Sequence, residues 1–590
     1  MDTLLELCRL AVSQVLQQYK SQIQDEQYQE LLIPNLTPAT NPKFGHYQLN
    51  NTMKIQKQLQ MLDIKIIPKQ LSESLCEAIK SLDTTSITSN VTVAAVFVNI
   101  TLSDKFLISS AKNIFMTSET KLPVPPRVDP LIIAVDFSSP NVAKSMHVGH
   151  LRSTIIGDSI CRLNEYLGHK VYRINHLGDW GTQFGMLIAH LKDNKLEDNE
   201  CLPIEDLVMF YKEAKVKFDQ DAEFQSRAKL EVVTLQGGNE VSLKLWKRLV
   251  ELSLKEFQVA YDQLDVVIEP YGESFYNDKL APIVEYFQKN GMAKSSNGAE
   301  IIEIEGAQHP FMIRKTDGGY TYDTTDLAAI RYRIETLHAD KLLYVVDLGQ
   351  SSHFQLLYDI AEQVGWAKKN QAQHIGFGVV LGEDGKRLKT RSGETVKLQE
   401  LLNEAVIQAR AQIKESGKDS QYTEAEMDEI SKAIGIGSIK YADLSSQRTK
   451  DYKFSYEKML SFKGNTCSYM LYSFTRISSI ARKLNLKRSV FYSEEYMNSV
   501  EIKAPQEQSL LVVLLKCYTI LVDTANDNML HRICDWMYQI AGAYTTFYEN
   551  CRVIGEDGTY DKSRLVLCEM TRQALRLCFK LIGIKEIEKM

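Results

Sequence analysis

No apolar run in this chain reaches the roughly 18 residues that a helix needs to cross a bilayer. Its strongest candidate, Ser509 to Val522, is interrupted by Lys516, so no membrane span is expected. The start, MDTLLELCRLAVSQVLQQY, lacks the basic stretch and apolar block of a secretory signal; with Asp2 and Glu6 it reads as a surface helix. The ten cysteines form no CxxC pair and have no histidine partners at zinc spacing. A disulfide framework and a structural metal are therefore not expected; reduced buried thiols and a cytosolic compartment are. Low-complexity tracts and internal repeats are also missing, and a composition of 44% hydrophobic and 24% charged residues argues against disordered and fibrous classes.

What is present is a 590-residue chain, too long for one hydrophobic core and expected to hold roughly three or four domains. The net charge of −6 divides unevenly: residues 441–590 carry +4 and the rest −10, a weak pointer to a polyanion-facing end. Residues 1–116 mix helical periodicity with the alternating segment Val91 to Leu102, VTVAAVFVNITL, which reads as one strand. Four of the 14 prolines fall in residues 117–130, so this segment is an extended linker. LIIAVDFSSPN then reads as a buried strand that breaks at Ser138, Ser139 and Pro140, and HVGHLRSTIIGDSICRLNEYLG as a helix stopped by Gly168. Strands are expected again at Val171–Ile174, Leu342–Val346 and Ile375–Leu381, with helices between them. That alternation predicts a parallel α/β sheet over residues 131–440, followed by an all-α helical bundle over 441–590.

The sharpest chemical signal is His147, Gly149 and His150 at the strand-to-helix junction, a spacing expected by chance on the order of 0.01 times in this composition. A helix N-terminus offers free backbone N–H groups and partial positive charge, and two imidazoles there can donate to phosphate oxygens as negative charge grows. Gly149 would let a nucleotide approach the backbone. A metal-binding histidine pair and two incidental surface histidines are the other readings; no carboxylate or third histidine stands nearby in zinc order.

NVAKSMHVGH, Asn141 to His150, resembles the HIGH signature of the class I aminoacyl-tRNA synthetases. The wider strings VDFSSPNVAKSMHVGHLRSTIIGDSI and GHKVYRINHLGDWGTQFGM resemble, more narrowly, the arginyl-tRNA synthetases. The resemblance implies a Rossmann-type catalytic domain flanked by a small N-terminal α/β tRNA-binding domain and a helical anticodon-binding domain. It implies ATP as a substrate with Mg²⁺, L-arginine and tRNA(Arg) as partners, and a need for tRNA in the activation step. No membrane is expected as a partner, and the chain is expected to work as a monomer. By the same resemblance Asn141 and His147 meet the amino acid's α-ammonium, and His147, Gly149 and His150 form the adenosine site. Asp136, Tyr322, Asp326 and Gln350 belong to the arginine site, and His353 lies near the nucleotide. TYDTTDLAAIRYR departs from the family's Y-x-x-R-D pattern in having Thr325 where Arg is usual. Trp180, in GDWGTQFG, reads as a packing residue.

The second class I signature, KMSKS, survives only in degraded form as GEDGKRLKTRSGETVKL, Gly382 to Leu398. The resemblance therefore implies that Lys144, helped by Lys389 and Arg391, stabilises the departing pyrophosphate. YEKMLSFKGNTCSYMLYSFTRISSIARK resembles the family's tRNA-binding segment, with Ser468 and Leu471 in place of Pro and Gln, and QALRLCFKLIGIKEIEKM its D-A-L-R helix, with Gln573 in place of Asp. Tyr469, Tyr472, Phe547, Tyr548 and Arg476 supply rings and a cation for unstacked bases, and the terminal Met590 joins them. NPKFGHYQLNNTMKIQKQL resembles the N-terminal domain that touches the tRNA elbow, with His46 in place of Asp and Asn99 as a base contact. Two other functions stay open at this point: a paralogue that binds tRNA without catalysis, and a nucleotidyltransferase on the same fold.

Overall fold

The computed structural model describes residues 2–590 except 40, 197–203, 307–308, 317, 390–394 and 418. The catalytic core is a five-stranded, wholly parallel sheet: β1 (Ile132–Asp136), β2 (Lys170–Asn175), β3 (Glu269–Pro270), β4 (Lys341–Tyr344) and β5 (Ala372–His374), in spatial order β5-β4-β1-β2-β3. The register pairs Asp136 with Ile174 on one side and with Tyr344 on the other. Chain order therefore reverses at β1, the arrangement that opens a crevice beyond the carboxyl ends of the strands. Asp136, Tyr344 and the residues following them stand at that crevice.

β1 is short and apolar, buried on both faces as a central parallel strand must be. Helix α1 (Val148–Tyr166), which follows it, is buried around nearly its whole girth. Its polar residues Arg152, Ser153, Thr154 and Asp158 are consequently inside the protein and bond to other elements. Gly168, with φ +92°, ends the turn beyond it.

The chain departs from the sequence expectations in three places. Val91 to Leu102 is part of a hairpin, Thr88–Ala94 and Phe97–Leu102, because Ala95 adopts φ +56° and turns the chain. Around Ile375–Leu381 there are two short strands instead of one, β5 ending at His374 and a separate pair of residues, Val380–Leu381. Ala293–Ser296, Ala299–Ile302 and Phe311–Arg314 form a three-stranded antiparallel sheet where no strand is expected from the sequence.

Helices over 204–263 pack on Thr182–Asp193 with a core of their own, around Phe184, Phe224 and Leu249. The N-terminal domain is a four-stranded antiparallel sheet with helices. From Glu424 onward among the described residues the chain is almost entirely helical. Pro505–Asp527 is apolar enough to span a bilayer by length and composition, but it breaks after Leu514 into two helices whose residues Leu510, Leu514, Cys517 and Leu521 are buried in the bundle. The nine described cysteines are free and buried. Gln573 and Arg576, on the helix Lys562–Leu581, donate to the carbonyls of Glu119 and Thr120 and hold the linker against the bundle.

Candidate active site

A cavity of about 990 Å³ lies at the carboxyl ends of β1 and β4. Its floor at one end is the loop between β1 and α1. Ser138, Ser139 and Ala143 in that loop have φ of 67°, 47° and 64°, values that side-chain-bearing residues adopt only when neighbours enforce them. Here they are enforced: Ser138 N–H donates to Ser153 Oγ (2.8 Å), Ser139 N–H to Asn175 Oδ1 (3.0 Å) and Ala143 N–H to Ser253 Oγ (3.0 Å).

The two histidines cap α1 reciprocally. Gly149 N–H donates to His147 Nδ1 and His147 N–H to His150 Nδ1, each at 3.0 Å, with the rings 4.0 Å apart. A ring nitrogen that accepts carries no proton, so the proton of each neutral imidazole is on Nε2. Burial, helped by His147, pushes His150 down to about 3, and burial with the charge of Lys144 lowers His147. Both rings are thus neutral donors at neutral pH, fixed in tautomer by the helix that they cap. Gly149 has a local role as well: a Cβ there would stand 2.8 Å from the His147 ring, so its absence makes room for the cap.

At the other end the walls are acidic. Asp326, on helix α2 (Tyr322–Glu335), receives His353 Nε2 at 2.7 Å and has His176 Nε2 at 3.7 Å. His353 stands on helix α3 (Ser351–Gln363), and its Nδ1 lies 3.5 Å from Asp323. It thus stands beside Asp323 and Asp326 at the acidic end of the cavity, where the sequence reading expects it near the nucleotide. Burial, reinforced by the charges of Asp326 and Asp179, pushes Glu273 up to about 8, and burial likewise pushes Asp323 to about 6. Tyr322 is exposed at the mouth, and Gln350 and Asn141 line the wall. Asn141 is tied to Gly178, where a Cβ would stand 2.1 Å from Asn141 Oδ1. Asp136 also lines the cavity, but both its oxygens have partners: Arg333 Nη2 at 2.7 Å and Ser139 Oγ at 2.9 Å.

The degraded second signature folds back on the first. Val148 N–H donates to Val396 O (3.1 Å), Leu398 N–H to Met146 O (2.9 Å), and Lys389 pairs with Thr395 across the loop neck. Arg387 and Lys389 line the cavity; Arg391 lies outside the described residues. Lys144 is exposed, its ammonium 5.3 Å from the centre of the Tyr211 ring, and it does not line the cavity. Arg152 of α1 joins this end to the bundle. Its guanidinium pairs with Asp443 at 3.0 Å, donates to the carbonyls of Gly378, Arg448 and Lys450, and lies between the rings of Phe377 and Tyr452.

A second, apolar pocket of about 290 Å³ is lined by Tyr469, Tyr472, Phe462, Ile413 and Met590. Arg476 lies elsewhere, stacked 4.4 Å over the Tyr548 ring. Phe547 is fully buried and offers no face to a base. Asn99 is also buried, its amide oxygen accepting from Gln48 Nε2 at 2.8 Å, which leaves Gln48 the more accessible of the pair.

Residues 119–456 match the family described as tRNA synthetases class I (R), catalytic domain, residues 470–590 the DALR anticodon binding domain, and residues 8–102 the arginyl tRNA synthetase N terminal domain. The chain belongs to the arginyl-tRNA synthetases. A Synechococcus arginine--tRNA ligase is 41% identical over 570 residues, 94% of this chain and 95% of that one. The cytoplasmic arginine--tRNA ligase of Xenopus tropicalis is 41% identical over 567 residues, covering 94% and 85%. The Plasmodium falciparum arginyl-tRNA synthetase structure superposes with a TM-score of 0.84 at 32% identity over 100% of this chain and 99% of that one. The Thermus thermophilus arginyl-tRNA synthetase, at 21% identity and a TM-score of 0.77 over 100% of both chains, shares the fold.

Within this arginyl-tRNA synthetase fold the sequence reading missed Glu273, His176 and Arg333. Each reaches the cavity or its floor from a different stretch of the chain. One local signal was available for His176: it stands just beyond β2, in the NHLGDWG string already singled out for resemblance.

Proposed function

We propose that this arginine--tRNA ligase performs both of its steps in the 990 Å³ cavity, with the roles of its residues set by the cavity's two ends. The reading rests chiefly on that polarity: neutral Nε2–H donors at a helix N-terminus face one end, and Asp326, Glu273 and Tyr322 the other. A guanidinium fork suits carboxylates and a ring face, and a triphosphate suits fixed neutral donors with Lys389 and Arg387 beside them. In the first step a carboxylate oxygen of arginine attacks the α-phosphorus of ATP, the α–β P–O bond breaks, and diphosphate departs with the Mg²⁺ that entered with the nucleotide. In the second a terminal ribose hydroxyl of tRNA(Arg) attacks the arginyl carbonyl, its proton passes to the phosphate of the adenylate, the bond from the carbonyl carbon to the phosphate oxygen breaks, and AMP leaves. No protein nucleophile is needed; His147 and His150 stabilise charge that grows in the transition state, and Asn141 holds the α-ammonium.

Arg152 supports a requirement for tRNA in the first step, since it ties the capped helix to the base of the 382–398 loop and to the bundle that carries the 290 Å³ pocket. That pocket, sized for one unstacked base between rings, is the anticodon contact we favour, through Tyr469, Tyr472 and Met590. The cytoplasmic arginine--tRNA ligase of Xenopus tropicalis, 41% identical, supports a cytoplasmic enzyme. The test is diphosphate exchange with and without tRNA(Arg), together with aminoacylation over twenty amino acids. Arginine alone should be charged. Absence of exchange under both conditions would leave a tRNA-binding paralogue, and exchange without charging a nucleotidyltransferase.

A further inference from the structure

The floor of the amino-acid end holds an ion arrangement that recognition of a guanidinium does not by itself require. His353 is clamped between two carboxylates of α2, its Nε2 2.7 Å from Asp326 and its Nδ1 3.5 Å from Asp323. An ionised carboxylate only accepts and a neutral imidazole has a single N–H, so above the Asp323 value of about 6 a ring that meets Asp326 at 2.7 Å and stands 3.5 Å from Asp323 is favoured as imidazolium. The ring is held there by Phe311, stacked 5.7 Å away, and by Tyr322 and Phe354 at its edges. Asp326 is thus already paired with a cation before any substrate arrives.

We infer that His353 is a positioning residue that fills the guanidinium seat in the empty enzyme, and that arginine takes over as counter-charge to Asp326 and expels one proton from the ring. This rests on the arginine end of the cavity as proposed above. The proton balance is simple: imidazolium plus a guanidinium cation becomes neutral imidazole, still donating through one N–H, plus bound guanidinium and a proton delivered to solvent at the cavity mouth. Two cations beside one carboxylate repel each other, and the guanidinium cannot be the one to lose its proton. The ring's affinity for its proton is consistent with this. Burial works against the charged form, yet the hydrogen bond and charge of Asp326, with Asp323, more than offset it, so His353 stands above the ordinary histidine value.

Other groups face the same place. His176 approaches Asp326 from beyond β2, Glu273 lines the wall from the turn after β3, Tyr322 stands at the mouth, and Arg333 with Asp136 lies beneath. Glu273 matters most for the test, because burial first and its acidic neighbours second push it up to about 8, making it a second proton that bound arginine can release.

The experiment is calorimetric titration of the full chain with L-arginine at pH 6.5 in buffers of different ionisation enthalpy, which counts protons released per arginine bound. The wild type should release protons, His353→Gln should bind arginine with at least half a proton less released, and Glu273→Gln should retain the His353 share. Equal release from wild type and His353→Gln overturns the inference and assigns the proton to Glu273 or another group. Failure of the wild type to bind arginine overturns the placement of the arginine seat itself. A readout that needs no variant is the Michaelis constant for arginine in the wild type: it should fall several-fold as pH rises from 6 to 8 with kcat changing less, and a flat profile removes the displaced proton.

Discussion

Arg333 Nη2 lies 2.7 Å from Asp136 Oδ2, with both side chains buried at the floor of the amino-acid end. The protein's own guanidinium therefore already engages the carboxylate that the sequence reading gives, together with Tyr322, Asp326 and Gln350, to the arginine site. Breaking a buried pair by neutralising one partner strands the other charge, at a cost of roughly 3 to 5 kcal/mol. Asp136→Asn should accordingly lower the thermal unfolding midpoint by several degrees. A variant with wild-type stability and a raised arginine Michaelis constant alone would return Asp136 to direct substrate contact.

The histidine pair offers a separation of cap from catalysis. Asn places an oxygen near the position of Nδ1 and nothing near Nε2, so His150→Asn keeps an acceptor for His147 N–H but loses the donor aimed into the cavity. Its rate should fall about 10²- to 10³-fold with folding and tRNA affinity nearly unchanged. The pH dependence has a definite sign. His150 stays neutral in the fold down to about 3, whereas an unfolded histidine gains its proton near 6.5, so the unfolded state binds more protons between those values and stability falls as the solution is acidified through them. His150→Asn should flatten that part of the melting profile; an unchanged slope would place the acid sensitivity elsewhere.

Asp326 and Glu273 should separate by pH. Asp326→Asn loses a charge-assisted contact and should raise the arginine Michaelis constant about 10- to 150-fold, an effect of about 1.5 to 3 kcal/mol, with ATP little affected. Glu273 in the empty enzyme is pushed to about 8, so what its carboxylate adds to arginine binding grows as pH rises, and the loss in Glu273→Gln should be smallest at pH 6 and increase toward pH 8. A loss in Glu273→Gln that is largest at pH 6 would contradict this.

How much of the site was visible in the sequence follows from how local each part is. His147, Gly149 and His150 bond to one another across three residues, so a strand, a capped helix start and a motif could be read together. Asp326 and Tyr322 share one helix turn. Arg333, in contrast, meets Asp136 across almost two hundred positions, and His353 meets Asp326 only because α2 and α3 pack side by side. No periodicity encodes those meetings. Val91 to Leu102 failed for a related reason: alternation continues through Ala95, and only the backbone at φ +56° discloses the turn.

The 290 Å³ pocket makes a prediction about tRNA alone. A base stacked on Tyr472 and capped by Met590 should contribute about 1 to 3 kcal/mol. Tyr472→Ala, and removal of Met590, should each weaken tRNA(Arg) binding in a filter or anisotropy assay while leaving the Michaelis constant for ATP in place. Undiminished tRNA affinity in both would assign the pocket to the packing of the bundle.

The last prediction concerns the cation that meets the departing diphosphate, where two lysines compete. Lys389 lines the cavity now and pairs with Thr395. Lys144 rests on Tyr211 at the rim, yet its charge is already felt at His147, where it adds to burial in disfavouring the protonated ring. Leaving an aromatic face at an exposed site costs about 0.5 to 1 kcal/mol. A charged hydrogen bond to a phosphate oxygen contributes about 1.5 to 3 kcal/mol, and more as negative charge concentrates on the leaving group. The balance favours a swing of Lys144 from Tyr211 to the nucleotide once ATP is bound, and it favours the transition state over bound ATP. Lys144→Gln should therefore lower the arginylation rate at saturating ATP by more than it raises the ATP Michaelis constant, whereas Tyr211→Leu, which only frees the ammonium, should leave the rate intact. A large drop confined to Lys389→Gln would give the role to the loop, and no drop in either lysine variant would show that the two histidines carry the leaving-group charge without a lysine.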